Sequence, residues 1–497
     1  MYYPSKKEFI HKARQGNVIP VYKEMLADLE TPVSAFMKID HSGYAFLLES
    51  VEGSENVARY SFLGASPSLV FRSKGKSIEI TQGAQKSEFH SSDPLAEIKK
   101  LMQQYRFVPV EGLPRFCGGL VGFIGYDMVR FFEKIEDSNS DDLDLPDSLF
   151  MLTDTILIFD HIKHVIKIIN NVHLKENTRS AEKLGRIYDQ ALKKVEGLAA
   201  LLRRPLKTPA ARVVRRGKTL AVDSNVTERC FSAMVKKAKE YIRDGDIIQA
   251  VLSQRFMVDF NCAPFDIYRA LRSINPSPYM FYLKCKDFNL IGSSPELFVR
   301  CEDNNVAIRP IAGTRPRGRN AQEDQKLVTQ LLADPKERAE HTMLVDLGRN
   351  DIGRVSKFGS VEMSELMVIE KYSHVMHIVS EIRGKLRPGK DIYELIRACF
   401  PAGTVSGAPK IRAMQIIDEL ENIRRGPYAG LIGYFSFSGN LDSCITIRTI
   451  ITKNYTAYIQ AGAGIVADSQ AAREYQETKN KAKALMKAVE LAEKGLA

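Results

Sequence analysis

The sequence predicts an α+β fold of antiparallel sheets packed with helices. Short β-rich runs come in consecutive pairs joined by tight polar turns, Ser438-Gly439-Asn440 and Lys453-Asn454, which mark antiparallel hairpins rather than a doubly wound parallel sheet. Between such pairs lie amphipathic helical stretches whose apolar residues recur three and four apart, as in Phe231, Val235, Ala238 and Ile242.

In chain order, the first 190 or so residues mix strand-like runs with turn signals. Ser42-Gly43 precedes Tyr44–Leu48, and Thr155–Phe159 precedes His161, Val165, Ile166 and Ile168. Residues 173–200 are charged and helix-periodic, and residues 201–223 read as a linker between a region 1–200 and a domain 224–497. Ser224 or Asn225 is placed to cap the next helix, which stops at Asp244-Gly245. Beyond it helices alternate with the β-rich runs Ile247–Phe256, Tyr279–Leu283, Ile432–Phe437, Ile445–Ile451 and Thr456–Gln460.

Composition excludes several function classes. A chain of 497 residues holds two or three domains with a large core. It has no apolar run of the roughly 18 residues needed to span a bilayer. Met1-Tyr-Tyr-Pro-Ser-Lys-Lys lacks the apolar centre of a secretory signal, so a cytoplasmic protein is expected, with no membrane contact. The net charge of +11 raises nucleic acid as a partner, but the densest basic run lies in the linker, without interleaved aromatics, zinc spacing or a helix-turn-helix cue. A basic chain equally steers a small dianion. The seven cysteines are scattered, odd in number and form no C-x-x-C pair, against a disulfide framework or structural zinc.

Four constellations carry chemistry. Asp334-Pro335 opens a helix bearing Glu337, Glu340 and His341, and the last helix stacks Glu474, Glu477 and Lys481 at i, i+3, i+7. Carboxylates from two helices, with water and a substrate carboxylate, suit Mg²⁺. The same residues also read as solvated faces with Glu477 paired to Lys481. Arg309–Gly318 flanks a Gly-Thr turn with arginines, while Gln460–Ile465, following a strand, offers the N–H groups of Gly462, Ala463 and Gly464 near Arg448 on the preceding strand, a carboxylate cradle. The loop Cys399–Lys410, punctuated by Pro401, Gly403, Gly407 and Pro409, delivers Thr404 and Ser406 at a helix start. His374 and His377 are candidates for proton transfer. Gly462-x-Gly464-x-x-Ala467 also has dinucleotide spacing, but the chain after it is too short for a βαβ unit.

These pieces, in this order, resemble the chorismate-utilising enzymes, most closely their anthranilate synthase branch. The resemblance covers nearly the whole chain and is most specific over residues 240–481, in Pro310–Gly318, Glu340–Asp351, Tyr372–His377, Pro401–Lys410 and Arg425–Tyr428. It implies the anthranilate synthase-like chorismate-binding fold, with 1–200 a regulatory region and 224–497 the catalytic domain. It implies Mg²⁺ held by Glu340 and Glu477, and chorismate bound by Gly313, Thr314, Tyr428, Arg448, Gly462, Ala463, Gly464 and Lys481. His377 and Thr404 would sit by the reacting ring, His377 as acid for the departing 4-hydroxyl, with Glu296 as a further site carboxylate.

The reaction so implied is attack of ammonia at C2 of chorismate, giving 2-amino-2-deoxyisochorismate, then loss of pyruvate to leave anthranilate. Ammonia would come from glutamine through a partner glutamine amidotransferase subunit, in a heterotetramer of two large and two small subunits. Leu47–Ser50, Arg59–Gly64 and Asn275–Met280 resemble the family's feedback site, where Ser50, Pro278, Tyr279 and Met280 would hold L-tryptophan. Ala312 stands where aminodeoxychorismate synthases carry lysine, and Gln249 where isochorismate and salicylate synthases carry a water-activating lysine. Both departures leave ammonia as nucleophile. The alternatives are an aminodeoxychorismate synthase component and a non-catalytic effector-binding regulator.

Overall fold

The computed structural model describes residues 1–50, 59–175, 178, 180–206, 221–372 and 375–496. Two large antiparallel sheets face each other, and each continues across the 201–223 stretch. Tyr44–Glu49 pairs with Tyr279–Cys285 in one sheet, and Gly119–Ile124 pairs with Leu431–Ser436 in the other. Of the linker itself, residues 207–220 lie outside the described residues.

The layers follow from strand alternation. In Tyr44–Glu49, Phe46 faces the opposite sheet while Ala45 and Leu47 face helices, so both faces are apolar. The inter-sheet core joins Phe46, Phe281 and Leu290 of the first sheet to Phe123, Ile432 and Tyr434 of the second. Helices Ala181–Leu202, Pro264–Ile274 and Ala471–Glu493 cover the outer face of the first sheet. Pro94–Gln103, Pro335–Gly353 and Ile392–Cys399 cover that of the second.

Both expected hairpins form. Gly439 takes φ +85 in the turn joining Leu431–Ser436 to Leu441–Ile445, and Asn454 and Tyr455 take φ +50 and +61 between Thr449–Lys453 and Thr456–Ile465. Three local expectations are corrected. Thr227, not Ser224 or Asn225, caps the helix Glu228–Arg243 by accepting from Cys230 N–H at 3.2 Å; Ser224 is used in a short strand against Phe256. The run Ile445–Ile451 is broken, because Leu441–Ile445 belongs to one sheet and Thr449–Lys453 to the other. Arg448 sits in that crossing at φ +50, off any strand. Gly462–Gly464 lie within the strand Thr456–Ile465 rather than after one.

All seven cysteines are free. Among the described residues no helix is long and apolar enough to cross a membrane.

Candidate active site

The strand Gln249–Asp259 pairs with Thr456–Ile465, placing Val251 opposite Gly464 and Ser253 opposite Gly462. Val251 gives its N–H to Ser406 O (2.9 Å) and Ser253 to Glu421 Oε1 (2.8 Å), both away from the glycine strand. Gly462 and Gly464 therefore occupy non-hydrogen-bonded positions of this ladder, and their N–H groups face its open edge, while Ala463 turns its N–H into the ladder. A side chain there would crowd its neighbours. A Cβ on Gly462 would meet the Tyr428 hydroxyl at 2.8 Å, and one on Gly464 would meet Gln249 Nε2 at 2.4 Å.

Arg448 and Tyr428 close this edge. The Arg448 guanidinium donates to Lys481 O (2.8 Å) and makes no ion pair among the described residues. Burial pulls its pKa down, and Tyr428 and Glu477 restore only part. Burial pushes the buried Tyr428 phenol up to about 12, against the opposing pull of Arg425.

The carboxylates arrive from the two expected helices. Asp334 caps Pro335–Gly353 through the N–H groups of Lys336 and Glu337. Glu337 pairs with Arg315 at 3.0 Å. Glu340, one turn on, accepts among the described residues only a long 3.5 Å bond from Gln249 Nε2, and burial with the neighbouring Glu337 charge raises its pKa. Lys481 bonds Glu477 (2.7 Å) and Gly462 O (2.9 Å). Glu474 is also raised, by burial and then by Glu477. Glu340, Glu474 and Glu477 thus share one field, with Lys481 as the cation acting on each. Among the described residues no three His, Cys, Asp or Glu side chains converge into a metal cage. An uneven excess of carboxylate oxygen, together with the buried and unpartnered Gln249 Oε1, fits a hard divalent ion completed by water and substrate.

The candidate proton-transfer groups come from other strands and from the Cys399–Lys410 loop. A bulge at Gly313, φ +76, sets Thr314 opposite His377 in the ladder between Ile311–Pro316 and Val375–Lys385. His377 Nδ1 lies 3.0 Å from Thr314 Oγ and 3.2 Å from Gly313 O. The carbonyl fixes the proton on Nδ1 and leaves Nε2 free. Burial lowers the His377 pKa, and Arg448 lowers it further, against the bond to Gly313. Burial raises the Glu296 carboxyl to about 8, with Thr404, the Ile311 backbone and Lys481 opposing. The Thr404 hydroxyl is buried and close enough to Glu296 to pull its pKa down, and it has no other partner among the described residues.

Ser406 differs from expectation. It turns inward onto Ala402 O (2.9 Å), so the loop presents Thr404 alone, on a short turn Gly403–Val405. His374 lies outside the described residues.

The residues expected to hold an effector gather elsewhere on the first sheet. Register sets Glu49 opposite Met280, beside Ser50, whose buried hydroxyl has no hydrogen-bond partner among the described residues. The Glu49 carboxylate accepts from Tyr268 (2.5 Å) and Arg272 (3.0 Å). Tyr279 donates to Asp442 (3.1 Å) and accepts from Arg300 (3.0 Å), a contact with the second sheet that the sequence did not signal. A hollow of 670 Å³ next to Arg272 contains none of the expected site residues. Its charges Arg269, Arg272 and Asp160 are paired with Asp266, Glu49 and Arg59.

Comparison with known proteins gives a consistent result. The profile of the chorismate binding enzyme family matches residues 43–487. The chain is 51% identical over 495 residues to anthranilate synthase component 1 of Acetivibrio thermocellus, covering 99% of each. It is 50% identical over 484 residues to that of Aquifex aeolicus, covering 96% of each. The crystal structure of anthranilate synthase component I from Streptococcus pneumoniae is 38% identical, with TM-score 0.74 over 93% of this chain and 99% of that one. The menaquinone-specific isochorismate synthase from Escherichia coli, at 18% identity and TM-score 0.70 over 97% of this chain and 98% of that one, shares the fold.

Proposed function

The chain belongs to the family of chorismate binding enzymes, and we propose from this premise that it converts chorismate and ammonia to anthranilate, pyruvate and water, as the large subunit of an anthranilate synthase in tryptophan biosynthesis. The observation that carries the reading is the cradle at the open strand edge. An arginine without a carboxylate partner among the described residues, the outward N–H of Gly464, and the Tyr428 phenol with the Gly462 N–H directed at it leave room for one substrate carboxylate. Chorismate has two, and the excess negative charge at Glu340 and Glu477 suits a Mg²⁺ ion that would bind the other. Bound there, Mg²⁺ would neutralise the ring carboxylate and draw charge from the ring as the nucleophile adds.

The chain's own groups manage the protons. His377 enters neutral, its Nδ1–H held by Gly313 O. A substrate carboxylate on Arg448 would offset the arginine's part of that lowering while the larger burial part remains, and it is the protonated ring that would donate to the departing 4-hydroxyl. Glu296 holds its proton at neutral pH, so it stands as a hydrogen-bond donor to the substrate and would take the C2 proton only in its ionised form. Thr404 lies beside it, its hydroxyl available to the substrate.

The ammonia would be supplied by a glutamine amidotransferase partner, in an assembly of two large and two small subunits. The Ser50 hydroxyl, buried without a partner among the described residues and next to Met280 and Tyr279, supports L-tryptophan as feedback inhibitor.

The test is incubation of the purified chain with chorismate, Mg²⁺ and an ammonium salt at mildly alkaline pH, with anthranilate followed by fluorescence and mass. Product formation that stops with EDTA and with tryptophan is expected. Release of 4-amino-4-deoxychorismate or isochorismate would overturn the assignment within the family, and untouched chorismate would overturn the catalytic reading. With the amidotransferase subunit added, glutamine should replace ammonium and the two chains should co-elute.

A further inference from the structure

The strand Phe288–Ser294 ends in two serines that face opposite ways and serve different clients. Ser293 is fully buried, and its hydroxyl is saturated. It donates to Asn275 O at 2.5 Å, accepts from Asn275 Nδ2 at 2.9 Å, and lies 2.9 Å from Ser277 Oγ. With its one proton given to Asn275, the Ser277 hydroxyl must donate. All three bonds hold the turn that leads into Pro278, Tyr279 and Met280. The backbone N–H of the same Ser293 donates to Arg448 O at 3.1 Å.

Arg448 needs that bond. Its φ of +50 is a conformation that non-glycine residues keep only when neighbours impose it. Thr449 after it is held in register with Gly292, and Ile445 before it donates to Glu296 O at 3.0 Å. Ser294 reinforces the second anchor by donating to Ile445 O at 2.6 Å. The segment 292–296 therefore clamps the crossing that carries Arg448 from both ends, while Ser293 alone also grips the turn 275–278.

We propose that Ser293 is a positioning residue for Arg448, through which the state of the Asn275–Met280 turn is transmitted to the chorismate carboxylate site. The positioning half stands on the hydrogen bonds above. The regulatory half rests on the proposed tryptophan site, whose residue Met280 is opposite Ser293 in one ladder and opposite Glu49 in the next. A ligand that moves this turn has a short mechanical path to the guanidinium: turn, Ser293, Arg448.

The test compares wild type, Ser293→Ala and the milder Ser277→Ala, measuring steady-state kinetics with ammonium and tryptophan binding by calorimetry. Loosening the clamp should raise KM for chorismate about fivefold in Ser293→Ala and about twofold in Ser277→Ala, with kcat within about twofold of wild type. Tryptophan should still bind Ser293→Ala within about threefold of its wild-type affinity, yet its effect on chorismate affinity should fall by about fivefold or more.

Unchanged KM and unchanged coupling overturn the proposal, as does a fall in kcat at constant KM, which would place Ser293 on the chemistry instead. If wild type binds no tryptophan, the effector reading falls while the KM comparison still decides the positioning role. If Ser293→Ala does not fold, the same measurements on Ser277→Ala decide.

Discussion

Two arginines flank Tyr428, Arg425 buried and Arg448 half-buried, and they live opposite lives. Arg425 donates to Glu421 through Nε (2.9 Å) and an η-nitrogen (2.6 Å), and to Val405 O and Val251 O at 2.8 and 2.6 Å. It also lies over the rings of Tyr126 and Tyr428, at 4.7 and 5.6 Å. Burial alone would pull its pKa down, but Glu421 more than reverses this and the net shift is upward. Among the described residues Arg448 has one bond to a carbonyl and no carboxylate partner, and its net shift is downward. The same kind of side chain has its charge paired in one place and, among the described residues, unpaired in the other. A buried charge with its partners in place holds a fold together, whereas one without them stores binding energy for a ligand that brings the missing charge.

The largest expected effects separate these roles. Arg448→Ala should cut kcat/KM for chorismate on the order of a thousandfold, because a desolvated charge-assisted carboxylate contact is lost, and should leave thermal stability near that of wild type. Arg425→Ala should do the reverse and remove about 3–5 kcal/mol of stability, since Glu421 is left buried without its countercharge. Urea titration and steady-state kinetics on both variants check the pair. Equal loss of stability in the two would break the distinction.

The carboxylates sharpen it from the opposite sign of charge. Glu340 is raised by burial and by Glu337, so its ionised form is disfavoured until a cation arrives. Glu340→Gln should lower activity about a hundredfold and raise the Mg²⁺ concentration needed for half activity. Without metal it should be slightly more stable than wild type at pH 8, because a carboxylate whose pKa is raised on folding costs stability as pH rises past its unfolded value. Melting curves with and without Mg²⁺ read both effects, and a Glu340→Gln variant that responds to Mg²⁺ as wild type does would remove Glu340 from the ligand set.

Glu296 gives a smaller effect with a defined pH window. Its folded pKa of about 8 lies above the ordinary carboxylate value of 4.5. The folded state therefore holds the proton more tightly, and stability falls as pH climbs from about 4.5 to about 8, then levels off. Glu296→Gln should lack that slope, so its melting temperature should gain on wild type between pH 5 and 8. The alkaline limb of the wild-type rate profile near pH 8 should also disappear from its residual activity. Parallel melting-temperature curves would show that Glu296 is ionised in the folded protein.

Much of this contrast was legible in the sequence, and the part that was not has a common cause. Short-range chemistry could be read: Asp334-Pro335 opens its helix as expected, the two hairpin turns form, and Glu340, Glu477 and Lys481 come from the anticipated helices. Which way a residue faces depends on partners distant in sequence. Gly462 and Gly464 present their N–H groups only because Ser253 and Val251 spend theirs on Glu421 and Ser406. Arg448 leaves its expected strand because residues 445 and 449 belong to different sheets. Ser224 lost the cap to Thr227 because the ladder with Phe256 claimed it first. Asp442, which ties Tyr279 and Arg300 across the sheets, carried no local signal.

The finest cut falls on Tyr428, which belongs to both arginines. Its ring lies under Arg425, and its hydroxyl sits where Gly462 leaves room beside Arg448. Tyr428→Phe keeps the ring and deletes the oxygen. If the two arginines do separate work, the variant should melt within about 1 °C of wild type, because the packing against Arg425 is untouched. Its KM for chorismate should rise about fivefold, the value of one hydrogen-bonding group at the cradle. A matched loss of stability would mean that the hydroxyl serves the Arg425 cluster, and that the boundary between the paired charge and the unpaired one runs on the other side of this ring.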